Sequence, residues 1–92
     1  MIRSFRCQET RAIHEGFESR QFRAIQNQAR KRLRWLDGAT SLADLGAIRS
    51  NRLEMLKGDR KGEYSVRIND QWRICFSWRD GNAHDVEIVD YP

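Results

Sequence analysis

The residues with chemistry to offer crowd into one stretch. "LEMLKGDRKGEYSVRINDQWRICF", residues 53–76, carries Lys57, Arg60, Lys61, Arg67 and Arg73. A segment that only covered a core would not need five positive charges. Arginine pairs its planar fork with two oxygens of a phosphate, and lysine adds a compact point charge. Three uses fit such a stretch: a solvated sheet face, a nucleic-acid surface, or a catalytic floor. At the far end of the sequence stand Asp90 and Tyr91. The first could move a proton; the second could donate a hydrogen bond, move a proton or stack on a base. His14 and His84 stand apart from both groups and read as structural or surface residues.

Composition limits the partners. The 92 residues carry a net charge of +4, with 33% charged and 39% hydrophobic side chains. Arg greatly outnumbers Lys, and a basic domain of this size points to a polyanion: RNA, DNA or an acidic protein. No stretch approaches the roughly 18 apolar residues of a membrane helix, and no secretory signal is visible, so the expectation is a cytoplasmic protein without membrane contact. Cys7 and Cys75 are far apart and lack CxxC spacing or a histidine cluster. That pattern argues against zinc and against a disulfide scaffold and fits a reducing compartment. No metal or other cofactor is expected.

The elements that position these residues read as a single domain, 1–92, of α+β class. Residues 2–5 alternate like a short first strand. A short helix from Thr10 ends near Gly16, and Ser19 is a candidate N-cap for a longer helix over 20–37. Phe22, Ile25, Ala29, Leu33 and Leu36 form its apolar stripe, while Arg23, Arg30, Lys31 and Arg34 mostly fall elsewhere, on a solvated or phosphate-contacting face. Thr40 or Ser41 caps one further turn or two. After Gly62 the period changes to two. Tyr64, Val66 and Ile68 alternate with polar residues, as do Trp72, Ile74, Phe76 and Trp78. "Asn69-Asp70-Gln71" and "Asp80-Gly81-Asn82" are turns, and a last strand runs over roughly 83–91. Two N-terminal helices thus pack on one face of a small antiparallel sheet. Arg67, Asn69 and Arg73 fall on the other face, which this reading leaves open.

"LKGDRKG", "NDQWRI" and "IVDY", in this order and across essentially the whole chain, resemble the HigB branch of the RelE toxin family. The resemblance implies a microbial-ribonuclease-like fold and cleavage of messenger RNA in the ribosomal A site. It also implies a helix-turn-helix antitoxin of the HigA type as partner, with operator DNA contacted only through that antitoxin.

RNA cleavage through the 2′-hydroxyl needs a base for that proton, charge stabilisation at the phosphorane and an acid for the leaving oxygen. Arg73 and Lys57 are the candidate charge stabilisers. Arg60 and Arg67, with Asn69, are candidates to hold flanking RNA. Asp90 and Tyr91 match the family's C-terminal acid–tyrosine pair. In the family a histidine generally follows that pair and another often stands at the position of Glu54; here the residues are Pro92 and Glu54. A non-cleaving module that binds RNA or the ribosome and is neutralised by an antitoxin is the alternative.

Overall fold

A computed structural model describes residues 1–90. The chain forms α1 (Gln8–His14), α2 (Gln26–Gly38), α3 (Leu42–Ala47), β1 (Glu54–Met55), β2 (Glu63–Arg67), β3 (Trp72–Arg79) and β4 (Asn82–Asp90). Two 3-10 turns, Arg49–Asn51 and Gly58–Arg60, flank β1. The four strands pair antiparallel in the order β1-β2-β3-β4. The meander follows from its turns. Arg79 pairs with Asn82, and the two residues between them, Asp80 and Gly81, have φ of 53° and 76°. Positive φ at both central positions is the type I′ geometry, whose twist matches that of the flanking strands. At the β2–β3 turn, Asn69 Oδ1 accepts from the backbone N–H groups of Gln71 and Trp72 at 2.9 and 2.8 Å.

The expected apolar stripe is the core of the helical layer. Phe22, Ile25, Ala29, Leu33 and Leu36 are all buried, together with Ile13 from α1 and Val66, Ile74, Phe76 and Ile88 from the sheet. Burying side chains of this size contributes about 1.5–3 kcal/mol each for the larger ones. Trp72 meets Phe22 edge-on, with ring centroids 5.3 Å apart.

Three expectations about the elements need correction. The long helix starts at Gln26 rather than near residue 20. Ser19 is buried and does cap, but it caps a turn. Its hydroxyl accepts from Phe22 N at 3.2 Å and donates to Glu9 at 2.7 Å, while Gln26 Oε1 takes the Ser19 N–H. Residues 2–5 form no full strand; Ile2 and Phe5 make parallel bridges to Ala83 and Val86, laying this segment along the free side of β4. Arg30 is not on a phosphate-facing surface. Its Nε and Nη2 donate to the carbonyls of Ile13 and Phe17, both at 2.9 Å, closing the C-terminal end of α1. The expected cap of the third helix holds: Ser41 and Asp44 form a reciprocal capping box.

Candidate active site

The register lays a row of side chains across the face of the sheet opposite the helices. Glu54 pairs with Ser65, Ser65 with Cys75, and Cys75 with Glu87. In the next row Arg67 pairs with Arg73, and Arg73 with Val89. Alternation along each strand places all of these on one side. This face is not open, as the sequence reading expected. The segment joining α3 to β2 folds over part of it, so that Ser65 and Cys75 are fully buried and Arg73 is only 8% exposed.

Arg73 is held by that cover. Its Nε donates to Ser65 Oγ at 2.6 Å. Its Nη2 donates to the carbonyl of Arg52 at 2.6 Å and to that of Ser65 at 3.3 Å. Among the described residues Nη1 has no hydrogen-bond partner, and it is not among the buried side-chain atoms left unpaired. Taking a guanidinium out of water is costly, and the three donated bonds offset part of that cost.

Arg52, which supplies the carbonyl, sits at φ 43°, ψ 57°. This left-handed conformation is uncommon for a residue with a Cβ. The turn before it is tied down independently. Arg32 donates to Ser50 Oγ at 3.0 Å and Asn51 Oδ1 at 2.8 Å, and Asn51 Nδ2 donates to the Leu45 carbonyl at 3.1 Å. Burial and the nearby charge of Arg67 lower the pKa of Arg32.

A second cluster lies beside the first. Arg60 donates to Glu63 at 3.1 Å and to Glu87 at 2.7 Å, and Arg6 approaches the same carboxylates at 3.7 and 3.4 Å. The Glu87 bond leads the causes that raise the pKa of Arg60. Cys75 lies buried within reach of these charges. Desolvation, the leading cause, pushes its thiol up to about 11.

The remaining candidates divide. Lys57 is exposed at the start of the Gly58–Arg60 turn, and its side chain makes no hydrogen bond or ion pair among the described residues. Arg67 pairs with Asp70. The Asn69 oxygen is occupied by its own turn, leaving the amide nitrogen for other contacts. Asp90 pairs in register with Trp72, which puts it on the helix-bearing side, and its Oδ2 accepts from Gln71 at 3.2 Å. It is therefore not joined to Arg73. Tyr91 and Pro92 lie outside the described residues. Glu54 is exposed and sits next to Ser65 in the row. His14 is half-buried with Nε2 3.9 Å from Asp37, and His84 pairs with Ser77 in the sheet. Sequence reasoning missed Ser65, Arg52 and the two glutamates. The sequence shows Ser65 only as a polar residue at an alternating strand position, and its burial comes from the structure.

Comparison with known proteins gives the family of the chain. The model of the RelE-like HigB toxin of type II toxin–antitoxin systems matches residues 5–91. The chain belongs to the HigB-like toxin family. Endoribonuclease HigB of Proteus vulgaris is 32% identical over 92 residues, covering 99% of both chains. Toxin HigB-1 of Vibrio cholerae is 42% identical over 60 residues, which is 65% of this chain and 63% of that protein. Among solved structures, a YafQ variant from E. coli matches with a TM-score of 0.61 at 10% identity, over 98% of this chain and 93% of its own. YoeB from a YoeB–YefM toxin–antitoxin complex of Staphylococcus aureus matches at 0.58 and 17% identity, over 100% and 98%. These likenesses show that the HigB-like chain has the α+β fold of RelE-type toxins. No helix among the described residues is long and apolar enough to cross a membrane.

Proposed function

We propose that this HigB-like toxin is an endoribonuclease that cuts translated mRNA on the ribosome and thereby arrests translation. The observation that carries the reading is Arg73, fixed by three hydrogen bonds on its sheet face, together with the exposed Lys57, whose side chain has no partner among the described residues. A preorganised donor and a mobile cation are what a developing phosphorane charge calls for. Arg60, Arg67 and the Asn69 amide would hold flanking nucleotides. Glu54, Asp90 and Tyr91 are the candidates for proton transfer, and the ribosome supplies mRNA geometry. The neutralising partner is an antitoxin of the helix-turn-helix HigA type, through which alone the pair contacts operator DNA, and the setting is the cytoplasm.

The second reading, a toxin that occupies RNA or the ribosome without cutting, is favoured by one feature. Asp90 lies on the opposite side of the sheet from Arg73. Primer extension on programmed ribosomes and on protein-free RNA separates the two. Cuts confined to ribosome-bound mRNA are expected. Translation arrest with intact mRNA would establish the non-cutting reading, and efficient cutting of free RNA would remove the ribosome dependence.

A further inference from the structure

A strand serine with no exposure, set on the side of the sheet away from the main core, needs a reason. Ser65 is such a residue, and its hydroxyl takes the Arg73 Nε–H at 2.6 Å. The Arg52 carbonyl takes the Nη2–H at the same distance, from a backbone held in a left-handed conformation. The two acceptors lie on segments that adjoin Arg73 from different directions. Ser65 is in the middle of β2, diagonal to Arg73 across the strand pair, and Arg52 ends the Arg49–Asn51 turn.

A guanidinium has five N–H donors in a rigid plane. Fixing Nε and Nη2 therefore fixes the plane, and with it the direction of Nη1. The Arg52 side of the clamp is itself braced, since Arg32 and Asn51 tie the preceding turn to α2 and α3. Strained backbone that persists because its surroundings over-determine it is a feature of functional sites.

We infer that Ser65 and the Arg52 carbonyl are positioning groups that aim the Nη1 edge of Arg73 at the RNA phosphate. The inference rests on the proposed phosphate role of Arg73. Neither group touches the substrate; each acts by restricting one guanidinium. Loss of the Ser65 hydroxyl frees Nε, leaves the guanidinium held only at Nη2, by the Arg52 carbonyl and the longer contact to the Ser65 carbonyl, and spreads Nη1 over several directions. Misplacement of a reacting group by about 1 Å costs on the order of 10²-fold in rate.

Single-turnover cleavage on programmed ribosomes tests this with four proteins: the parent, Ser65→Ala, Arg73→Ala and the double variant. Ser65→Ala should lower the cleavage rate constant roughly 10- to 100-fold, with the half-saturating ribosome concentration unchanged. In the Arg73→Ala background it should add nothing, because a positioning residue without its client has no effect. Equal losses in both backgrounds, or a parent-like Ser65→Ala, would overturn the inference. A parent-like Arg73→Ala would remove the phosphate role itself, and the inference with it. The Nε–H resonance of Arg73 separates the two failures. It should be protected from solvent exchange in the parent and exposed in Ser65→Ala. Unchanged protection sinks the clamp while leaving a catalytic Arg73 standing. Should Ser65→Ala lose its cooperative melt, Ser65→Cys replaces it, being close in size and a weak acceptor.

Discussion

Arg60 Nη2 donates to Glu87 Oε1 across 2.7 Å, joining the Gly58–Arg60 turn to a strand 27 residues further along. The bond sets where the residue after Lys57 begins its turn, since Arg60 N also bonds the Lys57 carbonyl at 3.3 Å. Charge pairing here therefore serves placement of a candidate site lysine as well as stability.

Glu87→Gln should lower stability by about 1–3 kcal/mol, the range for removing one member of a partly buried charged hydrogen bond. Glu63 would remain as the partner of Arg60. Thermal melts at low and high salt check this. The difference from the parent should persist at high salt, because partly buried pairs are screened much less than exposed ones. A difference that vanishes in salt would reduce the bond to a surface contact.

Arg73→Ala should cost both activity and stability. It leaves the Ser65 hydroxyl and the Arg52 carbonyl without a donor, at about 1–3 kcal/mol for each group that stays buried. Lys57→Ala removes an exposed side chain with no partner among the described residues and should melt within about 0.5 kcal/mol of the parent while cleaving more slowly. Paired measurements of denaturant midpoint and cleavage rate distinguish them. If Arg73→Ala melted like the parent, the three bonds would carry no folding energy.

Arg52→Gly should stabilise the fold. A left-handed residue with a Cβ carries about 1–2 kcal/mol of strain, against about 0.5–1 kcal/mol of added chain entropy for glycine. The net gain of about 0.5–1 kcal/mol should raise the melting temperature by a few degrees in a domain of this size. Arg52→Val should do the reverse, since a branched Cβ tolerates positive φ worst. A glycine variant that melts lower would mean the Arg52 side chain contributes more than its backbone costs.

Stability should fall as pH rises from about 9 toward 11, and Cys75 is the cause. Its folded thiol titrates above its ordinary value of 9.0, so between the two values the folded chain binds the proton that the unfolded chain has released. Stability rises with pH only where the unfolded state binds more protons; here the folded state does, and the slope is negative. The contribution is complete below pH 9 and lost through the folded value. A melting profile over this range should flatten in Cys75→Ala. The same thiol should resist alkylation at pH 8 in the native protein and label once unfolded.

The meander and the core stripe were legible in the sequence because both are local. Period-two alternation with "Asp80-Gly81-Asn82" dictates the β3–β4 hairpin, and Phe22 through Leu36 keep the helical spacing whichever residue begins the helix. The start of α2 was not legible. Ser19 has the right chemistry for a cap, but Glu9 and Gln26 engage it first, and those contacts depend on how the chain folds back. The surroundings of Arg73 were hidden for a related reason. Alternation correctly assigns it to the face away from Trp72 and Ile74. What covers that face is the Arg52 segment, 21 residues earlier, and no strand period reports it. Asp90 was read with Tyr91 as a pair, and only the register with Trp72 shows which side it takes.

The segment laid along β4 has a consequence for assembly. Met1, Arg3, Ser4 and Arg6 share backbone hydrogen bonds with Ala83 and Val86, so the first residues of the chain are completed by nearly the last of those described. Closing so long a loop is slow, and it cannot begin until the distant strand exists. A growing polypeptide that has reached only Asp80 holds its helices and hairpin residues but has nothing to dock its leading segment on. Val86 and Ile88, which complete the core, are missing at that point too. The toxin's own translation must therefore run almost through β4 before the fold that would act on translation can form.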